Sequence, residues 1–465
     1  MSIVQLNVSQ TLPPVPNVHQ RKGALVSQGG TTLAAGTTTL LRSPADITTI
    51  LAQSIAIANM VWAANIVTVT TSAPHGIAVD DSALMTIAGT APAAYNGTLL
   101  VTAVDAVTLT YPLVANPGAV TTEGTIIPAS AAEVAAMAST FFIQQGGSGR
   151  LAVWVLELGA GGSAAGIAAL DAYITANTVN NLGPFYAYLV PGAWSDDPTF
   201  GPFAAKYTAL TAKTYFFPHL TVANYTTYTN YPGGLKSVFG LVPAPSAPST
   251  EFSLAAAFFV ALNYSPSATN KVTPTDNSFV YGVTPWPPNS SVYQQIAETN
   301  VNAITTGSEG GISNLIIQGG TTLDGHDFTY WYSVDWAQIN VKQGIAAEVI
   351  NGANNPQAPL LYNQNGIERL QRKIASVMGQ AVSYALAIGT PVQVSMSPND
   401  FEAAVEDGDF AGQIAINARD FLSYSAENPD DYAAGLYNGF QIAFIPARGF
   451  KHIIINMNVT EFVRG

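Results

Sequence analysis

The chain has 465 residues, of which 48% are hydrophobic and only 10% charged, with no cysteine and a formal net charge of −13. That length exceeds one ordinary hydrophobic core, so about two to four domains are expected, and a charged fraction far below the roughly 25% of an average soluble domain points to surface hidden in an assembly. With an acidic balance and no long basic runs, nothing suggests wrapping of nucleic acid or docking on an anionic membrane, and the lack of cysteine excludes disulfides, thiolate metal sites and thiol nucleophiles.

Residues 2–10 alternate, with Val4, Leu6 and Val8 on one side and Gln5, Asn7 and Ser9 on the other, as a half-buried strand does. Pro13, Pro14 and Pro16 follow, so residues 1–20 read either as a strand on a stiff tether, reaching roughly 30 Å, or as the first strand of their own domain. The opening MSIVQLNVSQ has neither the charged start nor the apolar run of a signal peptide, and no stretch of about 18 apolar residues appears. The expectation is a chain made in the cytoplasm and soluble until it assembles.

A strand is predicted at Ala24–Ser27, then a Gly and Thr turn, then a helix opened by Ser43 and Pro44 that runs through Ile47, Ile50, Leu51, Ile55 and Ile57. From Asn65 to Ile127 the composition turns to Thr, Val, Gly and Pro in strand-like runs, and helix resumes after Pro128. This predicts a β-sandwich-like module at 65–127 inserted into an α/β middle domain made of 21–64 and 128–320. Within the module, Asn96 and Gly97 are expected to supply a turn of positive φ, and His75, between Pro74 and Gly76, reads as a turn residue rather than a ligand.

The segment 150–174, RLAVWVLELGAGGSAAGIAALDAYI, carries G-x-G-x-x-A at Gly159–Ala164 between a buried strand and a helix, close to the dinucleotide fingerprint. The next strand, Phe185–Val190, is followed by PGAWSDD, so the acid that would hold a ribose is missing from its end. A Gly-rich strand-to-helix turn is the plainer reading; an NAD(P)-type oxidoreductase built on Gly159–Gly166 is the alternative. Residues 200–320 continue the alternation, as a sheet covered by helices would.

The strongest signals lie between Asp324 and Ile388. Phe328, Tyr330 and Tyr332 alternate with Thr329, Trp331 and Ser333 and predict an aromatic strand, followed by two helices. In the second helix Ile367, Leu370, Ile374, Val377, Met378, Ala381, Ala385 and Ile388 share one face, while Glu368, Arg369, Arg372 and Lys373 share the other. Asp324, His326 and Asp327 form a compact polar cluster that reads as a turn before it reads as an acid–base or metal site. The remaining histidines are scattered and no H-E-x-x-H or G-x-S-x-G occurs, so no catalytic, cofactor or metal residue is assigned. Pro391–Met396 predicts a strand, 397–425 is acidic and loop-rich, and Ile453, Ile455, Met457 and Val459 alternate in a final strand.

This order, an N-terminal strand on a Pro-rich arm, a variable α/β middle with an insertion, and a C-terminal domain ending in a strand, resembles the sheath proteins of contractile phage tails. The matching segments are DFTYWYSVDWAQINVKQGIAAEVIN with NGIERLQRKIASVMGQAV, and EVAAMASTFFIQQGGSGRLAVWVLELG. The insert, with TSAPHGIAVDD and AAYNGTLLVTAVD, resembles a small β module inserted in phage structural proteins. The resemblance implies an α/β (α+β) multidomain chain whose C-terminal domain, 321–465, exchanges terminal strands with its neighbours in stacked hexameric rings. Val4, Leu6, Val8, Ile453, Ile455, Met457 and Val459 would be the linking residues. It implies a virion component assembled in the host cytoplasm, with the chain itself, a tail tube protein, and baseplate and terminator proteins as partners, and no enzyme activity or cofactor. Arg369, Arg372 and Lys373 are the candidate contact with an acidic tube; a glycan-binding role for the insert is a further alternative.

Overall fold

The computed structural model describes residues 18–77, 79–145, 151–307 and 313–449. β1 (Gly23–Ser27), buried along its whole length, is followed by β2 (Thr38–Leu41) and the short helix α1 (Pro44–Thr48). Ser43 and Asp46 close a capping box on α1, and Pro44 provides its first turn. The helix stops there: Ile55 and Ile57, predicted to continue it, lie in β3 (Ile55–Ala63). Their isoleucine spacing fits either period over so short a run, and β-branched side chains favour the strand once a sheet is available.

Next come β4 (Ile66–Thr71), β5 (Ser82–Ala88), β6 (Gly97–Ala103), β7 (Thr108–Pro112) and β8 (Thr125–Pro128). With β3 they close into a barrel in the order β3-β4-β7-β6-β5-β8. Val67, Val69, Met85, Ile87, Val101, Leu109 and Ile126 fill its interior, alternating with outward threonines such as Thr68, Thr98 and Thr102. The β element therefore begins at Ile55, ahead of Asn65, and is a closed barrel rather than a sandwich; closure leaves no open edge. The hairpin residues of positive φ are Ala64 (51°) and Asn65 (66°), between β3 and β4. Gly97 does take positive φ, but Asn96 keeps φ at −83° and uses its side chain to bridge the backbone N–H and C=O of Thr90.

The chain leaves the barrel through α2 (Ala129–Ile143) and continues as β9 (Val153–Glu157), α3 (Ser163–Asn177), β10 (Ala187–Leu189), α4 (Phe200–Ala205), β11 (Tyr215–Phe217), α5 (Tyr225–Thr229), α6 (Leu254–Leu262) and α7 (Ser291–Ala297). The central sheet has the order β11-β10-β1-β9-β2, parallel except for β2. Its strands are apolar on both sides because helices cover both faces. α2 and α6 bury Leu25, Val153 and Leu189 on one face, and α3 and α4 bury Val26, Leu156 and Tyr188 on the other. A hairpin of β12 (Ala303–Thr306) and β13 (Leu315–Gln318) follows.

α8 spans Phe328–Ala353, so the predicted aromatic strand is the opening of a long helix. Phe328, Trp331, Tyr332, Asp335, Trp336 and Ile339 are among its buried residues and recur at spacings of three and four. Six alternating residues were too short a window to separate the two periods. α9 (Gln364–Ser383) is amphipathic as expected: Ile367, Ile374, Val377, Met378 and Ala381 are buried, Leu370 is half-buried, and Ala385 and Ile388 lie beyond its end.

The remainder comprises β14 (Ala387–Ile388), β15 (Thr390–Val394), α10 (Pro398–Glu406), β16 (Gln413–Ala418), α11 (Phe421–Glu427), α12 (Pro429–Ala434), β17 (Phe440–Ala443) and β18 (Ile445–Pro446). The stretch 397–425, expected to be loop-rich, is mostly ordered: Ser397 caps α10 by accepting from the Asp400 N–H, and Pro398 starts its first turn. No helix among the described residues is long and apolar enough to cross a membrane. The fold is a mixed α/β arrangement with several sheets and an all-β barrel.

Candidate functional site

The C-terminal sheet is ordered β15-β16-β17. β16 is central and buried from Ile414 to Ala418, with β15 parallel on one side and β17 antiparallel on the other. α9 is pinned across the seam by Gln371, whose Nε2 donates to the Val394 carbonyl at 2.9 Å and to the Ile416 carbonyl at 2.8 Å. Asn417, fully buried, accepts from the Met396 N–H at 2.8 Å and donates to Gln441 Oε1 at 3.0 Å. These two amides hold three strands and a helix in one register.

The outer edges of β15 and β17 have no strand partner among the described residues. They differ in receptivity. Pro391 lies in β15, and a residue without an N–H blunts an edge. β17 has no proline and exposes a row of backbone donors and acceptors. Beside it, Ala337, Val341 and Ile345 of α8, Met378 of α9, and Ile442 and Phe444 line a groove of about 620 Å³. An edge that supplies backbone hydrogen bonds next to an apolar groove that takes alternate side chains is what an added strand requires. The residues expected to supply such strands, Val4, Leu6, Val8, Ile453, Ile455, Met457 and Val459, lie outside the described residues.

The basic face of α9 is divided among three environments. Arg369 Nε stands 2.6 Å from Glu348 Oε1 of α8, and its Nη1 donates to the Ala358 carbonyl at 2.8 Å. Arg372 is exposed and only loosely paired with Glu368, at 3.8 Å. Lys373 lies against α8 where Gly344 offers no side chain; a Cβ there would stand 3.4 Å from Lys373 Cε.

The Gly-rich turn at Gly159 is a strand-to-helix turn whose Gly159 N–H is already engaged. Glu157, at the buried end of β9, accepts from the Gly29 and Gly159 N–H groups at 2.7 Å each and from the Thr31 N–H at 3.1 Å. It also accepts from Ser27 Oγ at 2.8 Å and Thr31 Oγ1 at 2.7 Å. Asp81 of the barrel faces the start of α3, where a Cβ on Gly161 would fall 2.8 Å from its Oδ2. Glu157 thus takes the Gly159 N–H, and the Asp81 carboxylate stands near the positive end of α3, where an anionic ligand would otherwise sit. The sequence carried one sign of this, a Glu closing the apolar run VWVLE.

Asp324 fastens the turn before α8, accepting from Thr322 Oγ1 at 2.6 Å, the His326 N–H at 3.1 Å and Trp331 Nε1 at 2.9 Å. His75 likewise ties a barrel loop, bonding the Asp105 carbonyl at 2.7 Å while accepting from the Ile77 N–H. A group unforeseen from sequence is Asp335, fully buried under α8 and bonded to the Tyr186 and Tyr215 hydroxyls. Burial pushes its carboxyl up to about 6, opposed by the nearby Lys236 and Lys213. No cluster of three or more metal-ligating side chains occurs among the described residues.

No family model and no curated protein matches the chain. Among solved structures, a sheath tail protein of Listeria innocua is similar over 78% of this chain and 85% of its own, at 9% identity and a TM-score of 0.37. A likeness of that degree carries no argument about function.

Proposed function

We propose that the chain is a non-enzymatic structural subunit of a contractile phage tail sheath. Subunits polymerise as stacked hexameric rings around an inner tube, tied by strands that each subunit adds to its neighbour, and contraction drives the tube through the host envelope. The observation that carries this reading is the open β17 edge over the groove of Val341, Ile345, Met378, Ile442 and Phe444. The alternating Val4, Leu6 and Val8, and Ile453, Ile455, Met457 and Val459, are the segments with the pattern such an edge accepts. The low charge of the chain and the sequence resemblance support the same reading. Backbone links at the ends of such arms survive while rigid subunits rotate and slide, so contraction is a switch between two packings of one mesh. Assembly occurs in the host cytoplasm, with tube, baseplate and terminator proteins as partners. The tube contact falls chiefly to Arg372, because Arg369 is held by Glu348 and Lys373 lies along α8.

Negative-stain electron microscopy of the purified chain beside a variant lacking residues 1–12 tests this. Tubes or stacked rings from the full chain alone are expected; monomers from both would refute an arm-linked sheath.

A further inference from the structure

A second cavity, of about 340 Å³, opens between α8, α9, the turn at Val18–Arg21 and the loop at Tyr264–Pro266. Two cations line it, Arg21 and Lys373, and no Asp or Glu is among the described residues lining it. Neither cation makes an ion pair among the described residues. Arg21 Nη1 only approaches Ser265 Oγ at 3.5 Å, and its buried Nε has no acceptor among the described residues. A buried guanidinium N–H with nothing to donate to is costly unless something arrives to accept it.

Composition sharpens the contrast. The chain has 29 Asp and Glu against 16 Lys and Arg, so two cations sharing an acid-free cavity run against the average surface. Residues 1–17, which lead directly into Val18, contain no Asp or Glu and cannot supply the missing charge from a side chain. The Lys373 stem packs beside Gly344 of α8, where an added Cβ would stand 3.4 Å from its Cε. The aromatic rings of Tyr264, Tyr332, Trp336 and Tyr384 share the wall with the amides and hydroxyls of Asn340, Gln343, Gln380 and Ser376. The size is that of a small-ligand pocket, with apolar rings to cover a body and polar groups to orient it.

We propose that this cavity is a binding site for a carboxylate carried on an aromatic or apolar body, with Arg21 and Lys373 clasping the carboxylate and the aromatic rings covering the body. An Arg fork and a Lys point charge together match a carboxylate's two oxygens. The site's occupancy by a small carboxylate is read on the unassembled chain.

The test titrates purified full-length chain with benzoate and with benzamide, of the same shape but neutral, by calorimetry. Wild type, Arg21→Gln, Lys373→Gln and the double variant are compared. Because neither cation has an internal ion pair, the unliganded variants are expected to melt close to wild type. Saturable benzoate binding is expected, at least about tenfold weaker in the double variant, with benzamide weaker than benzoate in wild type by a similar factor. Equal binding of the two probes, unchanged benzoate affinity in the double variant, or no saturable benzoate binding would each overturn the proposal. Given binding, the source of the natural carboxylate is read by pelleting: a pelleted fraction that falls with benzoate but not benzamide assigns it to a neighbouring chain, and an unchanged fraction assigns it to a free small molecule.

Discussion

The Tyr215 hydroxyl donates to Asp335 Oδ2 at 2.8 Å, joining the edge strand of the central sheet to the buried face of α8. Tyr186 donates to the same oxygen at 3.1 Å, while Oδ1 has no hydrogen-bond partner among the described residues. Burial raises this carboxyl from 3.8 to about 6, against the pull of Lys236 and Lys213. The folded chain therefore holds the proton more tightly than the unfolded chain. The cost of ionising Asp335 is absent below about pH 3.8, grows up to about pH 6 and is constant above it. Asp335→Asn removes that cost and leaves the two lysines without their carboxylate. The stability difference between wild type and variant should shift toward wild type by about 2 kcal/mol as pH falls from about 7 to about 4. Urea unfolding at stepped pH measures this, and a pH-independent difference would contradict it.

Glu157→Gln tests the plug at the Gly159 turn. A neutral amide offers one acceptor oxygen where the carboxylate collects donors from Ser27, Gly29, Thr31 and Gly159. A loss of about 2–4 kcal/mol is expected by denaturant unfolding, since several charge-assisted bonds fail at once. A change under about 0.5 kcal/mol would mean water replaces the lost acceptor without cost.

How much of this was legible in the sequence depends on how far apart the deciding residues stand. The register of α9 was readable because its period of 3.6 persists through Ile367, Ile374, Val377, Met378 and Ala381 on one continuous segment. The start of α8 was not, because Phe328–Ser333 satisfies a period of two equally well until Asp335, Trp336 and Ile339 are counted with it. α10 had its signal in Ser397 and Pro398, masked by the acidic residues around it. β16 is a six-residue strand whose centrality follows only from partners at Thr390–Val394 and Phe440–Ala443. The groove draws Val341, Met378 and Ile442 together from distant segments, so no local pattern encodes it.

Gln371→Leu keeps the volume of the seam residue but leaves the Val394 and Ile416 carbonyls without their common donor. A cost of about 1–3 kcal/mol is expected, with faster amide exchange in β15 and β16. Unaltered exchange in those strands would show that α9 is held by apolar packing alone.

Charge reversal separates the two arginines of α9. Arg369→Glu sets a carboxylate against Glu348 in a half-buried contact and should cost about 1–3 kcal/mol, whereas Arg372→Glu should stay within about 0.5 kcal/mol of wild type. If Arg372 meets an acidic tube, Arg372→Glu should also abolish co-sedimentation with it; undiminished co-sedimentation would remove the assignment.

The central claim is that the β17 edge receives a strand from another subunit, and amide hydrogen exchange over Phe440–Ala443 tests it most directly. Full-length polymer should protect the outward β17 amides by about a hundredfold or more relative to variants lacking residues 1–12 and 450–465 together, which keep the edge but lack both candidate strands. Equal exchange in polymer and truncated chain would contradict strand addition at this edge.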